Sequence, residues 1–135
     1  MSSICEDIKT ILTGNGYVFG VDLFINSLPV QPVDVVTLYD TSSTPPDGTL
    51  DGNNVYERGN FQVIIRNTSY TAAHVTAGTL RGLLHNRGNE TINSNYYVYV
   101  RMVNGANAIV LEGDVKHSRL GGILLTMNFE TMRKV

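Results

Sequence analysis

One cysteine, few charges and no stretch of basic residues are what this chain offers, and each shortage removes a class of function. Cys5 is the only cysteine of the 135 residues, so no disulfide can form within the chain. Its place on the inner side of an expected first helix reads as a buried, inert thiol. Charged residues make up 16% of the sequence and the formal net charge is −2. The surface is therefore expected to be rich in Asn, Thr, Ser, Gly and Tyr, with few ion pairs. Apart from Arg133 and Lys134 the basic residues are scattered, and without a basic stripe a protein that holds nucleic acid by phosphate neutralisation is not indicated.

Long apolar runs are also missing, so no membrane span or membrane partner is expected. The segment MSSICEDIKT carries acids early and lacks both a basic head and an apolar stretch, so a secretory signal is not expected and the chain should be made and folded in cytosol. The triplets Asn67-Thr68-Ser69 and Asn89-Glu90-Thr91 are then chance matches to a glycosylation pattern.

Catalytic patterns are equally scarce. No G-x-S-x-G elbow exists, and His117 beside Ser118 is only sequence adjacency. The carboxylates Asp7, Asp22, Asp34, Asp40, Glu112, Asp114 and Glu130 are dispersed. His74 and His85 share a helix azimuth but stand about 16 Å apart along the axis, too far for one metal, and His117 has no cysteine at metal spacing. Gly121-Gly122 reads as a bulge or turn, since no helix start or Lys follows to cradle phosphate. The stretch Asp47 to Arg58 opens like a calcium loop, but Arg58 stands where a bidentate Glu is required. No catalytic residue, metal or cofactor is assigned.

What is present is a fold pattern. With 42% hydrophobic residues, the chain suits a single domain over residues 1–135. Ser3 and Glu6 form a capping box ahead of Ile4, Ile8, Ile11 and Leu12, which predicts a helix over 3–13, stopped by Gly14 and Gly16. Residues 17–25 suggest a weak edge strand. Val33 to Tyr39 and Phe61 to Arg66 alternate as strands that pair in a wide hairpin.

Between them, Tyr39 to Asn60 is a polar loop of about twenty residues where connections usually run to about 4–6, and such loops tend to be functional. Ser69 opens a second helix, to Asn86 and closed by Gly88, with Ala73, Ala77, Leu80, Leu83 and Leu84 inward. Its Gly78 and Gly82 suggest close approach of a neighbour. Tyr96 to Val103, a tight turn at Asn104-Gly105, a return strand from Ala108 to Gly113, and a half-buried strand from Ile123 complete the pattern. The expected class is α+β, a mixed, mostly antiparallel sheet with two helices packed on one face.

Several stretches together resemble a known family. Asp22 to Pro29, Pro32 to Thr41 with Pro45-Pro46, then Tyr56-Glu57-Arg58, Phe61 to Arg66, the helix from Tyr70, and Gly122 to Phe129 are similar, in order, to tail terminators of long-tailed bacteriophages. These are also called minor capsid or tail-completion proteins. The resemblance implies a hexameric ring at the head-proximal end of the virion tail. The ring would stop polymerisation of the tail tube protein and offer a surface to head-completion proteins, with a channel through which DNA passes.

Asp47, Asp51, Asn53, Tyr56, Glu57 and Arg58 of the loop, with Tyr97 and Tyr99 of the tyrosine-rich strand, are the expected interface residues. A head-completion or stopper protein is one alternative. A small ligand-binding or hydrolytic domain, its site assembled by the fold, is another.

Overall fold

The computed structural model describes residues 2–29, 34–43, 47–48, 55–110 and 123–134, with backbone alone for 42–43, 47–48 and 104–110. Helix α1, Ile4–Thr13, begins as its capping box requires. Ser3 Oγ accepts from the Glu6 N–H at 3.1 Å, and Glu6 Oε2 accepts from the Ser3 N–H at 3.2 Å. Strands β1 (Leu23–Ile25), β2 (Val35–Ser43), β3 (Asp47–Gly48) and β4 (Val55–Asn67) follow, then α2 (Tyr70–Leu84) and β5 (Arg87–Ile92), β6 (Asn95–Val110) and β7 (Ile123–Lys134).

The strands form one sheet in the order β1-β2-β4-β7-β6-β5, with β3 paired to the start of β4. Among the described strands β1 and β2 run parallel and the other neighbours pair antiparallel. The sheet is thus mixed and mostly antiparallel, and the class is α+β as the sequence pattern implies.

Alternation fixes which face is buried. Phe61, Val63 and Ile65 of β4 and Ile123, Leu125, Met127 and Phe129 of β7 point under the helices, and Phe61 stacks on Phe129 with ring centroids 4.9 Å apart. Ile4, Cys5, Ile8 and Leu12 of α1 and Ala73, Ala77, Leu80 and Leu84 of α2 close on them from the same side. Gly59 leaves room there, because a Cβ would run into Ile4 Cδ1.

The opposite face carries Gln62, Ile64, Leu124, Thr126, Asn128, Glu130 and Met132, all partly exposed. It is held by polar pairs, among them Gln62 Nε2 donating to Asn128 Oδ1 at 3.2 Å. Among the described residues that face is covered near β2, where the carbonyl of Ser27 accepts from Thr37 Oγ1 and that of Pro29 from Arg66.

Three expectations change. The excursion from Tyr39 to Asn60 is largely strand at both ends: β2 runs on to Ser43, β3 pairs with Val55 and Tyr56, and β4 starts at Val55. Polar residues there satisfy edge positions of a sheet. Asn104-Gly105 makes no turn, because β6 continues through it and pairs with β7, absorbing the irregular sequence as register shifts between Met102 and Asn107. The tight turn is Asn93-Ser94, both at positive φ (49° and 69°), joining β6 to β5. The unforeseen β5 looks like loop in sequence, yet Gly88 is needed because a Cβ would sit 2.8 Å from the Val98 carbonyl oxygen. Asn86 at φ 60°, ahead of Gly88, turns the chain out of α2.

Candidate functional site

The residues singled out in the sequence do not gather into one place. Asp51 and Asn53 lie outside the described residues, as do His117, Ser118, Glu112, Asp114 and the Gly121-Gly122 pair. Asp47 pairs through its backbone with Tyr56. Tyr56, Glu57 and Arg58 are the first rungs between β4 and β7, opposite Lys134, Arg133 and Met132. Tyr99 is on the uncovered sheet face, where the Arg101 guanidinium lies 4.6 Å from its ring centroid and also pairs with Glu130. Tyr97 points the other way and is fully buried. Among the described residues no group of three or more His, Cys, Asp or Glu is placed to hold a metal ion.

Tyr97 leads to the most concentrated chemistry in the subunit. Its hydroxyl donates to Oδ2 of Asp7, a carboxylate with no exposed surface in the first turn of α1. Asn95 Nδ2 donates to the same oxygen at 3.0 Å, and Arg133 Nη1 stands 3.4 Å away. The other oxygen accepts from Ser2 Oγ and, at 3.1 Å, from Asn93 Nδ2. Arg133 also bonds the Ser2 carbonyl at 2.7 Å and Glu57 at 3.3 Å.

Burial first, then the neighbouring Asp7 carboxylate, raises the Tyr97 phenol well above its usual range. Cys5, one residue from Glu6 and buried beside Asp40, is likewise pushed up by desolvation. Both oxygens of Asp7 are committed to donors, so the arrangement fastens α1 to β6 and β7. Sequence reasoning took Asp7 for one dispersed acid, since its partners lie far away in the chain.

A less satisfied place lies on the outer flank of α2, where His74, Ala77, Gly78 and Arg81 face Met102 of β6 and Met127 of β7 across a hollow of about 190 Å³. His74 Nε2 is buried with no hydrogen-bond partner among the described residues. Gly78 and Gly82 have open space where a Cβ would stand, so the close approach expected for them is not made among the described residues. His85, at the C-terminal cap of α2, is engaged: its Nδ1 accepts from the Met102 N–H at 2.9 Å.

Comparison with known proteins decides the family. A model described as bacteriophage tail terminator protein matches residues 11–130. The chain belongs to that family. No curated protein matches it. Among solved structures, a chain from the "Virion of native gene transfer agent (GTA) particle" is similar in fold, at 14% identity and a TM-score of 0.55 over 86% of this chain and 81% of that one. The protein is accordingly a structural component of a phage tail and of the virion.

In this tail terminator chain the charges divide by position. Residues 1–57 hold eight of the twelve acids and one of the ten Lys and Arg, a net of −7; residues 58–135 hold the other four acids and nine bases, a net of +5. The described basic residues lie on α1, β4, α2, β5, β6 and β7, and none on β1, β2 or β3. Between Lys9 and Arg58 there is no Lys, Arg or His, and that stretch supplies β1, β2 and β3 at one edge of the sheet. Asp34 and Asp40 are exposed there, and Asp22 half-exposed. At the other edge Arg81 is exposed on α2, while Arg87 and Arg101 each share a carboxylate, Glu90 and Glu130 respectively. A count of charge by position along the chain would have shown this division.

Proposed function

We propose that the protein forms a ring, a hexamer by family resemblance, at the head-proximal end of the tail. There it ends polymerisation of the tail tube protein and presents the surface that head-completion proteins join. The observation that carries this reading is the family match across residues 11–130. The acid-rich β1–β2 edge supports it, because a subunit whose two sheet edges differ suits heterologous contacts, which close into rings when the rotation permits. The modest net charge of −2 suits a channel that DNA traverses without adhering.

The interface residues of the Asp47 to Arg58 region belong to this proposal, with Tyr99 as the tyrosine on the uncovered face. Replacing residues 49–54 by a tight turn is expected to leave the fold intact and abolish head–tail joining; normal virion yield from that deletion overturns this part. The reading as a whole is tested by knocking out the gene. Overlong, headless tails are the expected phenotype. Full heads beside free tails of normal length would assign the protein to the head side of the junction instead.

A further inference from the structure

β5 stops where its pairing with β6 had room to go on. Its rungs pair Ile92 with Asn95 and Arg87 with Val100 in one register, and two residues further that register sets His85 opposite Met102. His85 has the extended backbone of a strand residue, φ −79° and ψ 140°, but Asn86 at φ 60° breaks the ladder between it and Arg87. Its own N–H is used by the last turn of α2, donating to the Arg81 carbonyl at 2.9 Å. The ring then takes the donor that an opposing strand carbonyl would have taken: Nδ1 accepts from the Met102 N–H at 2.9 Å, partly out of water. A side chain thus supplies the last rung, tying the end of α2 to β6 at the point where β6 passes beyond β5.

A backbone carbonyl accepts at any pH, whereas an imidazole nitrogen accepts only while it carries no proton. In the imidazolium both nitrogens are donors, so Nδ1–H would meet the Met102 N–H head-on and the rung is lost. Histidine is the side chain that ordinarily changes charge in mild acid. The other charged or titratable groups on the described parts of α2, β5 and β6 are His74 and Arg81, Arg87 and Glu90, Arg101, and four tyrosines. Glu90 holds Arg87, which also donates to the Leu83 carbonyl at 2.8 Å, and Glu130 of β7 holds Arg101 on the uncovered face. Tyr70 packs on His74, Tyr96 bonds Asn89, Tyr97 bonds Asp7 and Tyr99 lies under Arg101. Both carboxylates are therefore already shared with a guanidinium.

We propose that His85 is a pH-sensitive pin. Neutral, its ring fastens the C-terminal end of α2 to β6; protonated, it releases Met102 and opens that junction. From Arg101 onward β5 gives β6 no pairing, so the released Met102 N–H adds a donor to that edge of the sheet. The pin belongs to the single subunit and stands apart from its assembly into a ring.

The test is an NMR titration of the full-length protein. Protonation of the His85 ring is followed through its own shifts, and the protection of the Met102 amide is measured at each pH, corrected for the intrinsic pH dependence of exchange. Protection of Met102 is expected to fall by about tenfold in step with the ring, the effect of one hydrogen bond, while that of Val100, opposite Arg87 in the ladder, holds. His85→Gln, whose side-chain oxygen accepts without titrating, should keep Met102 protected across the range, and His85→Leu should leave it poorly protected throughout. Unchanged protection of Met102 while the ring takes its proton overturns the pin, as does a Gln variant that loses protection in acid as wild type does. A ring that stays neutral until the subunit unfolds overturns it as well.

Discussion

Under α1, each oxygen of the Asp7 carboxylate meets donors, whereas on the outer flank of α2 the Nε2 atom of His74 meets none among the described residues. Both places put polar groups out of water beneath a helix. The cost of such burial falls only when partners are supplied, and leaving a buried group unmade costs about 1–3 kcal/mol. At Asp7 the partners come from the same chain and the result is a fastened helix. At His74 no such partner stands among the described residues, and the glycines of α2 beside it leave open space. The difference separates polar chemistry that holds the subunit together from a buried polar atom that contributes nothing to holding it.

The largest effect should come from removing the satisfied side of that comparison. Asp7→Ala leaves Arg133 buried with Glu57 as its one remaining carboxylate, and breaking a buried pair from one side costs about 3–5 kcal/mol. Urea denaturation is expected to show that loss, and the further change Arg133→Met to recover part of it. A loss below about 1 kcal/mol would mean that the network is an ornament of the surface turn and that α1 is held by its apolar side chains alone.

Alkaline titration probes the same region more gently. In the folded chain Cys5 and Tyr97 keep their protons above their ordinary values of 9.0 and 10.0, since burial opposes both anions. The unfolded chain can ionise them, so it binds fewer protons and stability falls as pH rises. The slope is about 1.4 kcal/mol per pH unit for each group. Between pH 9 and 10 the decline is expected to come from Cys5, and above pH 10 from Tyr97 and the half-buried Tyr17 as well. Cys5→Ala should flatten the first limb and Tyr97→Phe part of the second; identical pH profiles for wild type and both variants would sink the assignment.

The two regions were unequally legible in the sequence. The capping box at Ser3 and Glu6 and the alternation from Ile123 to Phe129 announced α1 and β7, because local chemistry and tertiary burial agree there. Asp7 looked like an ordinary first-turn acid, its burial being decided by Asn95, Tyr97 and Arg133 from strands far along the chain. β5 was missed because Arg87-Gly88-Asn89-Glu90 has the composition of a loop, and only pairing with β6 makes it a strand. Asn104-Gly105 misled for the converse reason: a strong turn signal was overruled by a long neighbour, β7, with hydrogen bonds to offer on both sides of it. Gly78 and Gly82 suggested an approaching neighbour, but among the described residues none comes within 4 Å of a Cβ at either position.

That last point yields the smallest effect in energy and the sharpest in meaning. Glycine inside a helix is less favourable than alanine by about 0.8–1.0 kcal/mol, and an added Cβ at Gly78 meets nothing within 4 Å. Gly78→Ala is therefore expected to raise the stability of the isolated subunit by up to about 1 kcal/mol in urea denaturation. Gly78→Leu has the same open space for its Cβ, and its longer side chain would enter the hollow beside Met102 and Met127, so it tests how much of that space the subunit can fill. A loss of stability in the alanine variant would show that α2 depends on glycine at this position, and the open flank of the helix would then be a requirement of the subunit's own packing.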